Sequence, residues 1–213
     1  MNVSADHWVS WHEPYDDPSS PLSRRLRCVQ SVISDWLDRR SPNKTRIVSV
    51  CAGQGHDLLD VLSGRADVDG LTARLVELDS VNVQAARERA SAVPDGVQLD
   101  IVEGDAAHLA AYEDAVPADL VLMCGVFGNI SDQDVRRTVG LLPMLCASGA
   151  TVVWTRHRNE PDLTPSIREW FGQEGFVENA FVAPVDVKWS VGVHVFGAKP
   201  VPLDGDAVMF RFL

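Results

Sequence analysis

Residues 46–57 read RIVSVCAGQGHD, a β-branched run that ends in closely spaced glycines. The run has the composition of a buried strand, and the segment HDLLDVLSGR that follows has that of a helix. Gly53 and Gly55 therefore stand where a strand turns into a helix, and a backbone without side chains there lets a ligand approach closely. A purely structural turn would use the same glycines, so the rest of the chain has to decide between the two interpretations.

The pattern of strand followed by helix repeats along the chain. The strand-like segments are TARLVELD, VQLDIVEGD, ADLVLMCGVF and ATVVWT, and the helical ones are SVNVQAARERASA, SDQDVRRTVGLLPML and a stretch around 166–171. This alternation predicts a parallel sheet with helices on both faces. The last two strands, in GFVENAFVAP and KWSVGVHVFGA, are separated by a few residues centred on Asp186, a connection that suits only antiparallel strands. The tail MFRFL has two interpretations, an edge strand or simple packing.

The first forty residues differ from this pattern. Residues 1–21 are rich in Pro, Asp and Ser and predict no regular element. Their aromatic residues include Trp8, Trp11 and Tyr15. From 22 to 40, apolar residues recur at three- and four-residue steps, which predicts a helix that Ser20 or Ser23 caps. We therefore divide the chain into an N-terminal aromatic arm and helix, residues 1–40, expected to act as a lid, and one domain, residues 41–213.

Composition narrows the classes of function. The chain has 213 residues and a formal net charge of -11, so its field repels a phosphate backbone and disfavours a nucleic-acid partner. Its four cysteines show neither a Cys-x-x-Cys pair nor a nearby histidine pattern, so we predict no metal site. The N-terminus lacks a signal-peptide pattern and no segment reaches roughly 18 apolar residues, so we expect a cytoplasmic protein without a membrane partner. The oligomeric state stays open.

Carboxylates stand at the ends of two further predicted strands. Glu77 ends the second strand, where a carboxylate accepts hydrogen bonds from both hydroxyls of an adenosine ribose. Asp79 is a nearby rival for this role, and a solvated acid at a strand end is the structural alternative. Asp105 ends the third strand at the same edge, where its carboxylate is placed to accept the adenine amino group. Three matched strand ends are harder to obtain by chance than one.

The segments VSVCAGQGHDLL, LVELDSVNVQAAR, EGDAAHL and ADLVLMCGVFGNI resemble the first four motifs of class I S-adenosylmethionine-dependent methyltransferases, over roughly residues 47–198. The resemblance implies an α/β fold, a three-layer Rossmann-like sandwich whose seven-stranded, mostly parallel sheet has an antiparallel last strand. It implies S-adenosyl-L-methionine as cofactor, with the glycine turn beside the methionine part, Glu77 on the ribose, Asp105 facing adenine and the end of the fourth strand beside the sulfonium. The implied cofactor-binding residues are Ser49, Cys51, Ala52, Gly53, Gln54, Gly55, Glu77, Leu78, Asp105, Ala106, Cys124 and Gly125.

The chain departs from the family pattern at two places. The family's first motif usually begins with an acidic residue and a further glycine, where this chain has Ser49 and Cys51. We expect Ser49 to hold the cofactor's amino group through water. The Asn/Asp-Pro-Pro-aromatic signature of many amino methyltransferases is absent after the fourth strand, which reads CGVFGN. This absence argues against DNA and protein glutamine as substrates and leaves a small molecule.

In methyl transfer the protein mainly holds the acceptor and the methyl group in line, and a general base is needed only when the acceptor must lose a proton. His157, at the end of the fifth strand, is the first candidate base because its unperturbed pKa lies near neutrality, although a surface histidine explains it as well. Asn129 would orient a substrate or cap the next helix, and Tyr15 belongs to the arm expected to cover the site. Arg156 and Arg158 suit an anionic acceptor group or a solvated turn. His194, inside an apolar strand, is expected to be structural.

Three rival functions remain. A nicotinamide dinucleotide oxidoreductase needs a third glycine where this chain has Leu58. A non-catalytic module would keep the cofactor fold and regulate a partner. An enzyme of non-methyl chemistry would cyclise the aminobutyrate part of S-adenosylmethionine without any acceptor, and only this rival releases methylthioadenosine from the cofactor alone.

Overall fold

The computed structural model describes residues 17–40 and 44–213, and Tyr15 and the other aromatic residues of the predicted arm lie outside these ranges. The strands are β1 (Arg46–Val50), β2 (Thr72–Glu77), β3 (Gln98–Glu103), β4 (Ala118–Met123), β5 (Cys146–His157), β6 (Phe176–Val182) and β7 (Trp189–Phe196). The α-helices are α1 (Pro21–Asp38), α2 (Leu59–Ser63), α3 (Ser80–Ala90), α4 (Asp132–Leu141) and α5 (Thr164–Gln173), and short 3₁₀ turns cover Leu109–Tyr112 and Leu142–Met144.

The seven strands form one sheet in the order β3-β2-β1-β4-β5-β7-β6. The pairs from β3 through β5 are parallel, whereas β7 is antiparallel to both β5 and β6. Strand β1 is therefore central, and the carboxyl ends of β1 to β5 open onto one edge of the sheet, called the rim below. The predicted mostly parallel sheet with an antiparallel last strand is confirmed.

Helices cover both faces of the sheet, which gives the predicted three layers. On one face, Ile33 and Trp36 of α1 and Leu62 of α2 pack in a core with Leu122 of β4. On the other face, Val139 of α4 and Phe171 of α5 pack with the strands and with the C-terminal residues Met209 and Phe210. Because β1 and β4 are buried on both faces, their sequences are almost continuously apolar.

Helix α1 belongs to one of these layers. The Ser20 side chain accepts a hydrogen bond from the Ser23 amide at 3.0 Å and caps the helix start, which selects one of the two predicted caps. The Trp36 indole N–H donates to Thr151 Oγ1 of β5 at 3.0 Å in the buried interior. The helix is thus fixed to the sheet, while a lid role for residues 1–40 stays a prediction.

One helix differs from the sequence prediction, and the structure decides between the two interpretations of the tail. The helix after the glycine turn covers only Leu59–Ser63 because the Gly55 carbonyl accepts from the amides of both Leu58 and Leu59, which forms a turn before the helix begins. The tail makes two isolated bridges, His108 with Val208 and Ile130 with Phe212, and forms no edge strand. Within the described ranges, no helix has the length and apolar character of a membrane span.

Candidate functional site

The glycine turn at the end of β1 has an unusual backbone. Gly53 and Gly55 have φ angles of 55° and 75°, and Cys51 reaches 52° although it carries a side chain. A Cβ atom on Gly55 would lie 2.5 Å from Leu59 Cδ1, so this position accepts only glycine without rearrangement. Cys51 stands where the resembling family has glycine, and the chain keeps that backbone conformation at a cost of order 1 kcal/mol. Such strain is typical of ligand-binding turns.

Glu77 connects the end of β2 to the glycine turn. Its Oε2 accepts from the Gly53 amide at 2.8 Å, and its Oε1 accepts from the Asp79 amide at 2.9 Å. A carboxylate has about four acceptor positions, so these two bonds orient the group and leave room for two hydroxyl donors. The geometry fits the ribose-holding role predicted for Glu77.

Asp79, the predicted rival, has a different task. Its Oδ1 accepts from the amides of Val81 at 2.9 Å and Asn82 at 3.0 Å, which makes Asp79 the N-cap of α3. Between the two acids lies Leu78, whose side chain is 64% exposed at the rim. An exposed leucine beside an oriented carboxylate offers an apolar surface to a ligand ring.

Asp105 lies at the neighbouring strand end, after β3. Its Oδ1 accepts from the Ala107 amide at 2.9 Å, and its Oδ2 lies 3.6 Å from His108 Nε2. Ala106 is buried, and its carbonyl accepts from the Tyr112 hydroxyl at 2.7 Å. The buried tyrosine therefore fixes the loop that carries Asp105 and Ala106 at the rim.

A narrow cleft lies between α1 and the glycine turn. Its lining residues include Cys51 and Cys124, at the ends of β1 and β4. They also include the oppositely charged Arg25 and Asp57. The remaining lining residues are Leu26, Val29, Ala52, Gly53, Gln54 and His56. Four predicted cofactor residues of the glycine turn and Cys124 thus share one cleft.

Asp57 and Arg25 are two charged residues of the cleft that the sequence analysis did not assign to the site. Burial raises the pKa of the Asp57 carboxyl, whose Oδ1 accepts from the Leu58 amide at 2.9 Å. The only sequence signal was an acid two residues beyond the last glycine of the turn. Ser49 is 1% exposed inside β1, where it lies between Leu75 and Leu122 of the neighbouring strands, and its water-mediated role stays a prediction.

A polar network holds the outer side of the glycine turn. Arg89 of α3 donates to the Gln54 carbonyl at 3.2 Å and pairs with Asp60 at 2.7 Å. His56 Nε2 lies 3.2 Å from Gln54 Oε1, and the Gln30 amide of α1 donates to the His56 carbonyl at 2.8 Å. Helices α1 and α3 are therefore both connected to the turn, which limits its freedom before any ligand binds.

The loop after β4 is held by β5 and by its own side chains. The Gly125 amide donates to Thr155 Oγ1 at 2.8 Å, and Asn129 Nδ2 donates to the Gly125 carbonyl at 2.6 Å. Asn129 does not cap α4, as one prediction had it, because Ser131 accepts from the Asp134 amide at 3.1 Å in that position. Asn129 instead closes the loop on itself.

His157 lies exposed at the end of β5 and against this loop. A Cβ atom on Gly128 would lie 3.3 Å from the His157 ring, so the ring packs against the backbone of that glycine. Burial of part of the ring, and then the Arg156 charge, lower the His157 pKa. A lowered pKa keeps the imidazole neutral at pH 7, which a general base requires.

Arg156 and Arg158 both donate to nearby loops, and their role in binding an anionic acceptor stays a prediction. The Arg156 guanidinium donates to the Phe127 carbonyl and pairs with Asp132 at 3.2 Å. Arg158 donates to the carbonyl of Pro184 and, at 2.8 Å, to that of Val187. Both guanidinium groups therefore join loops at the rim, through backbone carbonyls and, for Arg156, also through the Asp132 carboxylate.

Comparison with known proteins finds similar structures but no matching sequence. No protein-family model and no curated protein sequence matches the chain. Among solved structures, magnesium protoporphyrin IX methyltransferase from Synechocystis PCC 6803 with bound S-adenosylmethionine superposes with a TM-score of 0.66 at 14% identity, over 91% of this chain and 92% of that one.

Two other similar structures are also named as methyltransferases. An O-methyltransferase family protein from Burkholderia thailandensis has a TM-score of 0.60 at 16% identity, over 81% of this chain and 57% of that one. The glycopeptide N-methyltransferase MtfA has a TM-score of 0.57 at 13% identity, over 79% and 94% of the two chains. The chain therefore has the fold of class I S-adenosylmethionine-dependent methyltransferases.

Proposed function

We propose that this protein is a cytoplasmic enzyme that binds S-adenosylmethionine and transfers its methyl group to a small molecule. One observation carries the proposal: the Glu77 carboxylate at the end of β2 is bonded to the Gly53 amide of the turn after β1. This contact puts a strained glycine turn and a ribose acceptor at adjacent strand ends, next to the Asp105 loop. A narrow cleft beside the turn is lined by Cys124 at the end of β4.

When bound, S-adenosylmethionine supplies an electrophilic methyl group on a sulfonium sulfur. The residues of the rim hold and orient the two reactants, which accounts for most of the catalysis in such an in-line displacement. Glu77 would accept hydrogen bonds from the ribose hydroxyls, and Asp105 and Ala106 would face the adenine. Cys124 and Gly125 would flank the sulfonium, and His157 would take a proton from an acceptor that needs to lose one.

The acceptor is proposed to be small because solved structures similar to this chain include enzymes named for a porphyrin and for a glycopeptide. The net charge of -11 also opposes a nucleic-acid substrate. The contacts of Arg156 and Arg158 use part of their donors, and an anionic group on the acceptor stays a prediction.

Calorimetry with S-adenosylhomocysteine tests the cofactor part. We expect the wild-type protein to bind it and Glu77→Ala to bind about ten- to a hundredfold more weakly, the usual effect of losing hydrogen bonds to a charged group. Asp79→Ala is the control: it should lower helix stability by about 1 kcal/mol and change binding less. Absence of binding to the wild type at millimolar ligand would refute the proposal.

Product analysis tests the reaction. The protein is incubated with S-adenosylmethionine alone and with pools of small-molecule acceptors, and the products are separated by mass. S-adenosylhomocysteine that forms only with an acceptor supports methyl transfer. Methylthioadenosine formed without an acceptor would mean that the chain uses the same cofactor for cyclisation.

A further inference from the structure

Two opposite charges meet in the cleft beside the glycine turn. Arg25 comes from α1 and Asp57 from the connection between β1 and α2, and both line the cleft together with Gly53 and Cys124. Both charges act on the same thiol, since Asp57 raises and Arg25 lowers the pKa of Cys124, although burial is the largest influence. The two side chains therefore approach the end of β4 from different elements.

Asp57 differs from the other acids near the turn. Asp60 is paired with Arg89 at 2.7 Å, and Glu77 is bonded to the amides of Gly53 and Asp79. Asp57 accepts hydrogen bonds from the Leu58 amide and from the Cys124 thiol, and burial disfavours its charged form. A cation bound in the cleft would restore that charge, because an opposite charge nearby favours ionisation.

A ligand that pairs with both charged side chains of the cleft carries an ammonium group and a carboxylate group on the same carbon atom. A guanidinium binds a carboxylate through paired hydrogen bonds, and a carboxylate accepts from an ammonium, so Arg25 and Asp57 together suit an α-amino acid. Leu26 and Val29 add apolar surface for its methylene groups. The acid at the head of the resembling family's first motif is Ser49 here, so the ammonium needs another partner.

We propose that Asp57 binds the α-ammonium group and Arg25 the α-carboxylate group of the cofactor's amino-acid part. This inference rests on the proposed function and deepens it. In this chain the ammonium group would be bound by Asp57, beyond the last glycine of the first motif, and not at the start of that motif, where Ser49 lies. It also makes α1 part of the cofactor site through Arg25.

Three ligands separate the contributions in calorimetry. S-adenosylhomocysteine carries both charged groups, decarboxylated S-adenosylhomocysteine keeps only the ammonium, and methylthioadenosine has neither. We expect wild-type protein to bind the first at least about tenfold more tightly than the third, since charged hydrogen bonds contribute on this scale. Affinities for S-adenosylhomocysteine and methylthioadenosine within twofold would overturn the inference without any variant.

The variants assign each group to its residue. Asp57→Asn should weaken the two ligands that carry an ammonium about ten- to a hundredfold and leave methylthioadenosine unchanged. Arg25→Gln should weaken only S-adenosylhomocysteine. Arg24→Gln is the matched control, since Arg24 directly precedes Arg25 in α1 but pairs with Asp186 at 2.7 Å. We expect it to leave all three affinities unchanged.

Failure of the inference and failure of the proposed function give different results. If Asp57→Asn weakens all three ligands equally, Asp57 only supports the turn and the inference is wrong. If methylthioadenosine binds through Glu77 but the variants change nothing, the amino-acid part is held elsewhere. If wild-type protein binds none of the three, the proposed cofactor itself is wrong.

Discussion

His194 shows how burial decides what a single histidine does. It lies on β7 with 1% exposure, its Nδ1 accepts from the Trp154 indole N–H at 3.1 Å, and its ring stacks on Phe171. Its Nε2 lies 3.7 Å from Glu178 Oε2 and lacks a hydrogen-bond partner among the described residues. Burial lowers its pKa to about 4, so the ring is neutral in the folded protein at pH 7. The sequence prediction of a structural histidine fits these contacts.

This lowered pKa predicts a loss of stability in acid. The unfolded chain binds a proton at His194 near pH 6.5, whereas the folded chain does so only near pH 4, so the contribution is complete above pH 6.5 and is lost as the pH falls towards 4. The full effect is roughly 3 kcal/mol for this difference in pKa. Urea unfolding of wild type and His194→Gln from pH 7 to 4 measures it.

Glutamine keeps an acceptor for the Trp154 N–H but does not titrate in this range. The stability difference between wild type and His194→Gln should therefore shrink as the pH falls. A difference that stays constant from pH 7 to 4 would show that His194 titrates alike in both states.

Residue roles at the rim mark the limit of sequence reasoning. The acids at the strand ends were predicted because they follow strands, a local property. The roles of Glu77 and Asp79 could be told apart only in the structure. Glu77 accepts from the Gly53 amide, 24 residues away, and Asp79 caps α3. The loop contacts of Arg156 and Arg158 could not be predicted because their acceptors lie more than 20 residues away along the chain.

At the scale of elements, the sequence predicted more because strand and helix patterns are local. The β-branched runs, the glycine turn and the short connection at Asp186 predicted both the parallel strands and the antiparallel β7. What the pattern left out is the place of β7, which lies between β5 and β6. That order depends on side chains that face each other across strands.

Gly192 is one such position, where β7 passes Trp154 of β5. A Cβ atom on Gly192 would lie 2.2 Å from Trp154 Cε2, so the glycine makes room for the indole. Gly192→Ala should lower the free energy of unfolding by about 1–3 kcal/mol, the usual cost of overpacking a core. Denaturant unfolding gives the number.

The control is Gly172 in α5, where a Cβ atom meets nothing within 4 Å. Gly172→Ala should raise stability by up to about 1 kcal/mol, because alanine favours the helix. Equal effects of the two substitutions would contradict the steric role of Gly192.

On the scale of the whole molecule, the C-terminal segment 207–213 connects two loops of the rim. The Leu109 amide donates to the Ala207 carbonyl at 3.0 Å, and the Met209 amide donates to the Ala107 carbonyl at 2.8 Å. Further on, the Leu213 amide donates to the Asn129 carbonyl at 3.1 Å. The segment thus joins the loop after β3, on the adenine side of the proposed site, to the loop after β4, on its sulfonium side.

Removal of residues 211–213 should therefore loosen the loop after β4 without unfolding the core, because Met209 and Phe210 keep their buried positions. The truncation removes the Leu213–Asn129 bond and the Ile130–Phe212 bridge, which costs at least about 1 kcal/mol, so amide hydrogen exchange in residues 125–130 should become at least about fivefold faster. Arg211→Ala is the control, since it keeps the backbone contacts of the segment. Unchanged exchange in the truncated protein would mean that Asn129 and Thr155 hold this loop alone, and that the C-terminal segment only covers the core.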